Sequence, residues 1–148
     1  MYHYRESGLS NTWLSNGYEY VQTAAGQAIC IRNPDGFQKA IAESLAARCK
    51  RLSGEEFRFL RKYLGLARGS LGEMFGLNER TITRWEESSG PPLWADRLIR
   101  AFYYDESSNP FPLTAIFEDG SGSGQRPTAK SKYRLVLKKA SRGSWYEA

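Results

Sequence analysis

The stretch LGLARGSLGEMFGLNERTITRWE, residues 64–86, predicts two short helices joined by a tight turn. Gly76 can adopt the left-handed backbone that ends the first helix, because glycine has no Cβ. Gly72, four residues earlier, leaves room for the second helix to approach closely, and Asn78 is placed to cap that helix. We expect one buried cluster from the apolar side chains of the stretch, which are Leu66, Leu71, Met74, Phe75, Leu77, Ile82 and Trp85.

The second of these helices would present a polar face to solvent. With 3.6 residues per turn, its exposed side carries Glu79, Arg80, Thr83, Arg84 and Glu87. A helix with such a face can enter the major groove of DNA, which is about 12 Å wide. We therefore predict a helix-turn-helix whose recognition helix spans residues 78–87.

Three side chains of this face are suited to reading bases. Arg80 can form two hydrogen bonds with guanine O6 and N7, and Glu79 can accept a hydrogen bond from cytosine N4. Thr83, one turn further along, can offer its methyl group to thymine or its hydroxyl to a base edge. We expect Arg80 to make the strongest base contact.

Other side chains are better suited to the phosphate backbone. Arg84 and Arg68 are expected to contact phosphates, and Asn78 adds a capped helix N-terminus beside them. Arg61 belongs to a basic group on the preceding helix, which is either a solvated surface or a further phosphate contact. Glutamates in the same element leave open the alternative that it binds another protein instead of DNA.

These residues resemble the Cro/C1-type (XRE) family of bacterial and phage regulators. The resemblance runs through Gly72, the turn Gly76-Leu77-Asn78 and the ending Arg84-Trp85-Glu86, and continues into RLSGEEFRFLRKYLG (51–65) and PLWADRLIR (92–100). It implies an all-α, lambda-repressor-like DNA-binding domain over residues 51–118. It further implies a homodimer that binds a palindromic operator and represses its own operon.

The chain departs from that family at the start of the first helix of the pair. Ala67 stands where the family usually has a capping Ser or Thr, and Arg68-Gly69 replaces a usual Gln-Glu. We therefore expect this helix to be poorly capped.

A longer framing, MYHYRESGL at 1–9 and NGY at 16–18, resembles MqsA-type antitoxins and YiaG-like regulators. It implies an alternative function, in which the protein neutralises a toxin partner and represses its own operon. MqsA-type antitoxins carry an N-terminal zinc domain. This chain has only Cys30, Cys49 and His3, whereas a structural zinc site needs about four N or S ligands. We expect no metal and no cofactor.

Residues 1–50 are predicted to form a small antiparallel β-meander closed by a helix. Strands are expected at 12–15, 18–23 and 27–31, with Asn16-Gly17 as the turn of the first hairpin. The aromatic side chains of this sheet could form a partner surface, but we favour sheet core. The residues expected on its half-buried face are Tyr18, Tyr20, Ile29 and Ile31.

The rest of the chain follows from local signals. Ser53 and Glu56 form a capping box that starts a helix, and Pro92 begins another that runs to Tyr104. This last helix either packs under the helix-turn-helix or forms a dimer surface. A helical turn at 113–117, a flexible linker at 119–131 and a strand or hairpin at 132–148 follow, and the last could add to the N-terminal sheet.

Composition agrees with a basic α+β protein that binds a polyanion. The net charge is +5, and residues 50–100 carry ten basic and seven acidic side chains. The N-terminus lacks the apolar core of a signal peptide, and no run approaches 18 apolar residues, so we expect a cytoplasmic protein without membrane contact. Because no nucleophile–base pair or phosphate-cradling loop is recognisable, we expect no enzyme. The leading hypothesis is a dimeric, sequence-specific regulator that binds double-stranded DNA.

Overall fold

The computed structural model describes residues 1–48, 50–107, 135–140 and 143–147. The described residues form five helices and six strands, which confirms the α+β class. The chain divides into two compact units. One combines Met1–Ser44 with the C-terminal segment Tyr133–Ala148, and the other is Leu45–Lys132.

The first unit contains two separate sheets. A four-stranded sheet has the order β1-β2-β5-β6, in which β2 and β5 are parallel and the other neighbours are antiparallel. A two-stranded antiparallel sheet pairs β3 with β4, and Thr23 lies opposite Gly26 at its turn. The strands are β1 (Tyr2–His3), β2 (Thr12–Leu14), β3 (Tyr18–Thr23), β4 (Gly26–Ile31), β5 (Leu135–Lys139) and β6 (Trp145–Glu147).

The predicted three-stranded meander is wrong, because β2 pairs with β1 and β5 and not with β3. The Asn16 side chain donates to the Lys139 carbonyl (3.0 Å) and accepts from the Lys139 N–H (2.5 Å). Gly17 has φ +77°, and a Cβ at this position would lie 2.8 Å from Cζ2 of Trp145. Asn16 and Gly17 thus fit the chain against the C-terminal strands instead of closing a hairpin.

The prediction that the C-terminal segment adds to the N-terminal sheet is confirmed. Leu14 of β2 lies opposite Leu137 of β5, and both side chains are buried. Phe37 packs against the Trp145 ring with centroids 4.9 Å apart. The predicted helical turn at 113–117 and the linker at 119–131 lie outside the described residues.

The two-stranded sheet is more exposed than predicted. Tyr18 pairs with Ile31 and Tyr20 pairs with Ile29, so these four side chains share one face as expected. The Tyr20 side chain is nevertheless 59% exposed. Its assignment to the sheet core is therefore wrong.

The helices are α1 (Pro34–Ala47), α2 (Gly54–Tyr63), α3 (Arg68–Phe75), α4 (Glu79–Glu87) and α5 (Leu93–Glu106). The predicted capping box is confirmed, because Ser53 accepts from the Glu56 N–H and Glu56 accepts from the Ser53 N–H. Phe57, Leu60 and Ile99 are fully buried and anchor the core of the second unit.

A buried charged pair on α5 orders the segment between α1 and α2. Asp96 pairs with Arg100 one turn later and accepts the Leu52 N–H at 2.6 Å. Arg100 donates to the carbonyls of Ala46 (3.2 Å) and Lys50 (2.5 Å). Burial lowers the pKa of the Arg100 guanidinium, while Asp96 acts to raise it. These hydrogen bonds compensate the buried charges and fix the start of α2.

Candidate nucleic-acid interface

Two glycines set the geometry between α3 and α4. Gly76 ends α3 in the left-handed region at φ +69°, and the Leu77 N–H donates to the Gly72 carbonyl at 2.7 Å. A Cβ at Gly72 would lie 2.8 Å from the Leu77 carbonyl oxygen, so only glycine allows this close approach. Both predicted glycine roles are confirmed, although Gly72 makes room for the turn and the cap of α4 rather than for its helical body.

The two helices of this pair begin differently. Asn78 caps α4, because its Oδ1 accepts from the Thr81 N–H at 3.0 Å and from the Thr81 hydroxyl at 2.9 Å. Ala67 stands at the same position of α3 and makes no side-chain capping bond. The predicted poor capping of α3 is therefore confirmed.

The outer face of α4 carries the side chains that the sequence predicted there. Together with Ser88, they line a shallow depression about 520 Å³ in volume. Arg80 and Arg84 are exposed, and neither forms an ion pair within the part of the chain that the structure describes. The full set of lining residues is Glu79, Arg80, Thr83, Arg84, Glu87 and Ser88.

The inner face of α4 is packed into the unit. Ile82 is fully buried, and Trp85 is 8% exposed. The Trp85 ring lies 6.0 Å from that of Phe57 and 5.8 Å from that of Trp94, both nearly perpendicular to it. The assignment of Trp85 to the core is confirmed. This packing holds α4 so that its outer face stays in solvent.

A buried carboxylate on the inner face changes two of the predicted contacts. Glu86 pairs with Arg61, and Nε of Arg68 donates to its Oε2 at 2.8 Å. Arg61 is 6% exposed and also donates to the Leu66 carbonyl at 2.8 Å, so its prediction as an outward-facing phosphate contact is wrong. Arg68 keeps a side-chain exposure of 30%, and its phosphate contact stays a prediction.

Sequence reasoning missed the role of Glu86, although a signal for it existed. Glu86 follows the buried Ile82 by four residues and therefore lies on the same side of the helix. A carboxylate on a buried stripe needs a charged partner. The spacing therefore called for a basic residue on a neighbouring helix, and Arg61 is that residue.

The predicted apolar cluster is smaller than expected. Leu71, Ile82 and Trp85 are buried, but the Met74 side chain is 54% exposed, so its assignment to the core is wrong. Leu66, Phe75 and Leu77 are half-buried. The buried residues of α3 are Leu71 and Gly72, so Met74 lies outside the side of this helix that packs into the unit.

Aromatic side chains of α3 and α5 pack together and leave part of their surface exposed. The Trp94 side chain is 49% exposed, and its ring lies 5.4 Å from that of Phe75. Phe75 in turn stacks on Phe102 with centroids 6.1 Å apart. The α5 helix thus packs under α3 and α4 and also leaves aromatic surface open.

Within residues 1–48, 50–107, 135–140 and 143–147, no group of three or more His, Cys, Asp or Glu side chains could hold a metal ion. None of the helices in these ranges is both long and apolar enough to cross a membrane. No protein-family model, curated protein or solved structure matches the chain.

Proposed function

We propose that the protein is a sequence-specific transcriptional regulator that binds double-stranded DNA through α3 and α4, used as a helix-turn-helix of the Cro/C1 (XRE) type. The observation that carries the proposal is the outer face of α4. It presents two exposed arginines that form no ion pair among the described residues, on a helix whose opposite face is buried. Unpaired guanidinium groups on a rigid helix are suited to the phosphates and guanines of a major groove.

Each side chain of this face has a role that follows from its chemistry. Arg80 pairs with guanine, Glu79 restricts the sequence by accepting from cytosine, and Thr83 contacts thymine or a base edge. Arg84 contacts a phosphate, and Asn78 directs the α4 N-terminus toward another. Arg68 can add a contact from its exposed side, whereas Arg61 is buried against Glu86 and makes no such contact.

The regulator acts in the cytoplasm as a homodimer on a palindromic operator and represses its own operon. Two-fold symmetry of the protein would match two half-sites one or more helical turns apart. The exposed ring of Trp94, which packs against Phe75, supports the proposed self-association, because exposed aromatic surface is typical of protein interfaces.

The decisive experiment compares the affinity for upstream DNA with that for scrambled DNA by fluorescence anisotropy. We expect Arg80→Ala to lose about 1–3 kcal/mol of discrimination, because one bidentate base contact is removed. Arg58→Ala serves as the control, since Arg58 is an exposed arginine on α2 outside the α4 face. Equal preference for the two DNAs by the parent protein, or an Arg80→Ala variant as selective as the parent, would sink the proposal.

A second candidate is an antitoxin that neutralises a partner protein and represses its own operon. The exposed β3–β4 hairpin favours it, because Tyr20 and Val21 are 59% and 39% exposed there, and tyrosine is enriched in protein interfaces. Co-expression with the products of adjacent genes tests this candidate. We expect the parent protein to rescue growth and to co-purify with one of these products, and we expect Tyr20→Ser to lose both effects. A protein that neither binds any adjacent product nor protects against it is not an antitoxin.

A further inference from the structure

A second pocket lies beside the C-terminal end of α4, at the loop that leads into α5. Its volume is about 350 Å³, which falls in the lower range of ligand pockets. Arg51, Arg84, Ser88 and Ser89 supply its polar lining, and no carboxylate lines it among the residues that the structure describes. The two guanidinium groups make this lining positive, while Glu87 lies on the adjoining outer face of α4, which Arg84 also lines.

Arg51 lies in the wall of this pocket, and the loop holds its guanidinium in place. Its Nη2 donates to the Pro91 carbonyl at 2.8 Å, which holds the guanidinium against the loop. Its Nε is buried and has no hydrogen-bond partner among the described residues.

The loop that forms the pocket wall is held in place. Gly90 has φ +126°, and a Cβ at this position would collide with the Leu52 carbonyl oxygen. The loop therefore packs directly on the segment that carries Arg51. Ser88 ends α4, and its Oγ lies at a long 3.4 Å from the Trp85 carbonyl, so this hydroxyl can turn toward a better acceptor.

We propose that this pocket binds a phosphate group through Arg51 and Arg84, with the hydroxyls of Ser88 and Ser89 as further donors. Guanidinium groups match the oxygens of phosphate in geometry and charge. Two sources share this chemistry, which are a backbone phosphate of DNA and a free phosphate compound. Arg84 and Ser88 line both this pocket and the outer face of α4. Binding of a DNA phosphate in this pocket therefore rests on the proposed function, whereas binding of a free phosphate compound does not.

The first test uses inorganic phosphate as the probe. In ¹⁵N-correlated NMR spectra of the full chain, phosphate should produce saturable shifts of the Arg51 Nε–H and of the Ser89 and Gly90 amides. Chloride at equal ionic strength should not. Ser89→Asp should abolish these shifts by placing a carboxylate in the pocket, whereas Gln22→Glu, with the same charge change on an exposed strand, should keep them.

The second test measures DNA affinity across a salt series. Neutralising one phosphate contributes about 0.9 to the slope of log affinity against log salt concentration. Arg51→Ala should lower the slope by about that amount on upstream and scrambled DNA alike, because a phosphate contact carries no sequence information. Ser89→Asp provides the same comparison if Arg51→Ala fails to fold.

The outcomes separate the sources and the two proposals. A lowered slope assigns the pocket to DNA, and phosphate shifts with an unchanged slope assign it to a free phosphate compound. If phosphate does not shift the spectrum and the salt slope is unchanged, the proposed phosphate binding is overturned, while the proposed regulator function still stands. If the parent protein shows the phosphate shifts but binds no DNA, the proposal of a regulator fails and the proposal of a phosphate pocket stands.

Discussion

The two faces of α4 use charged side chains in opposite ways. On the outer face, Arg80 and Arg84 are exposed and form no ion pair among the described residues. On the inner face, the Glu86 side chain is 1% exposed and is held by Arg61 and Arg68. A buried charge without partners would cost several kcal/mol, whereas an exposed charge keeps its hydration. The inner charges therefore serve the fold, and the outer ones remain available to a ligand.

This difference changes what the net charge of a segment means. Residues 50–100 carry ten basic side chains, but Arg61 and Arg100 are buried and bonded within the unit. They add to the charge count and offer nothing to a polyanion. The exposed basic side chains that remain include Arg58 and Lys62 on α2 as well as Arg80 and Arg84 on the outer face of α4, so a polyanion meets fewer positive groups than the charge count of the segment implies.

The largest effect is expected from the inner face. Glu86→Ala leaves Arg61 without its buried partner, so the free energy of unfolding should fall by about 3–5 kcal/mol. Urea denaturation followed by circular dichroism measures this change. Glu87→Ala is the matched control, since the neighbouring carboxylate is exposed and its removal should alter stability by less than about 0.5 kcal/mol. Similar losses in both variants would contradict the distinction between the faces.

A smaller effect is expected where α3 approaches the start of α4. Gly72→Ala places a methyl group 2.8 Å from the Leu77 carbonyl oxygen and 3.3 Å from the carbonyl carbon of Asn78. Because both contacts are backbone atoms, stability should fall by about 1–3 kcal/mol, as measured by urea denaturation.

Gly69 provides the control for this substitution on the same helix. Among the described residues, the one atom that a Cβ at Gly69 would meet is Oε2 of Glu79, at an ordinary 3.8 Å. Gly69→Ala should therefore be neutral or stabilise by up to about 1 kcal/mol, because alanine is the better helix former. If Gly72→Ala is as harmless as Gly69→Ala, the close approach at Gly72 is not what positions α4.

The features that the sequence predicted correctly depend on neighbours in the chain. The cap at Asn78, the left-handed Gly76 and the outer face of α4 each follow from residues within a few positions. The meander failed because the partner of β2 is β5, more than 120 residues away. Asn16-Gly17 has the sequence of a hairpin turn, yet its side-chain and backbone groups are satisfied by Lys139 and Arg32.

The errors within the candidate site have the same origin. Arg61 follows the buried Leu60 directly and lies at the border of the apolar stripe of α2, where periodicity alone does not decide its direction. Its burial depends on Glu86, which is 25 residues further along. The pocket at Arg51 likewise joins the segment before α2 to the loop after α4, and no local pattern brings these together.

The smallest effect is expected at the start of α3, and it separates the stability of the α3–α4 pair from DNA binding by the outer face of α4. Ala67 has the extended backbone of a capping residue, with φ −72° and ψ 155°, close to the φ −84° and ψ 162° of Asn78. Ala67→Ser supplies the missing acceptor without altering the backbone, so the free energy of unfolding should rise by about 0.5–1 kcal/mol. Asn78→Ala should lose a similar amount, and urea denaturation measures both. Because Ala67 does not belong to the outer face of α4, Ala67→Ser should leave DNA affinity unchanged. An affinity that rises with stability would mean that α3 is partly unfolded in the free protein and folds fully on binding DNA.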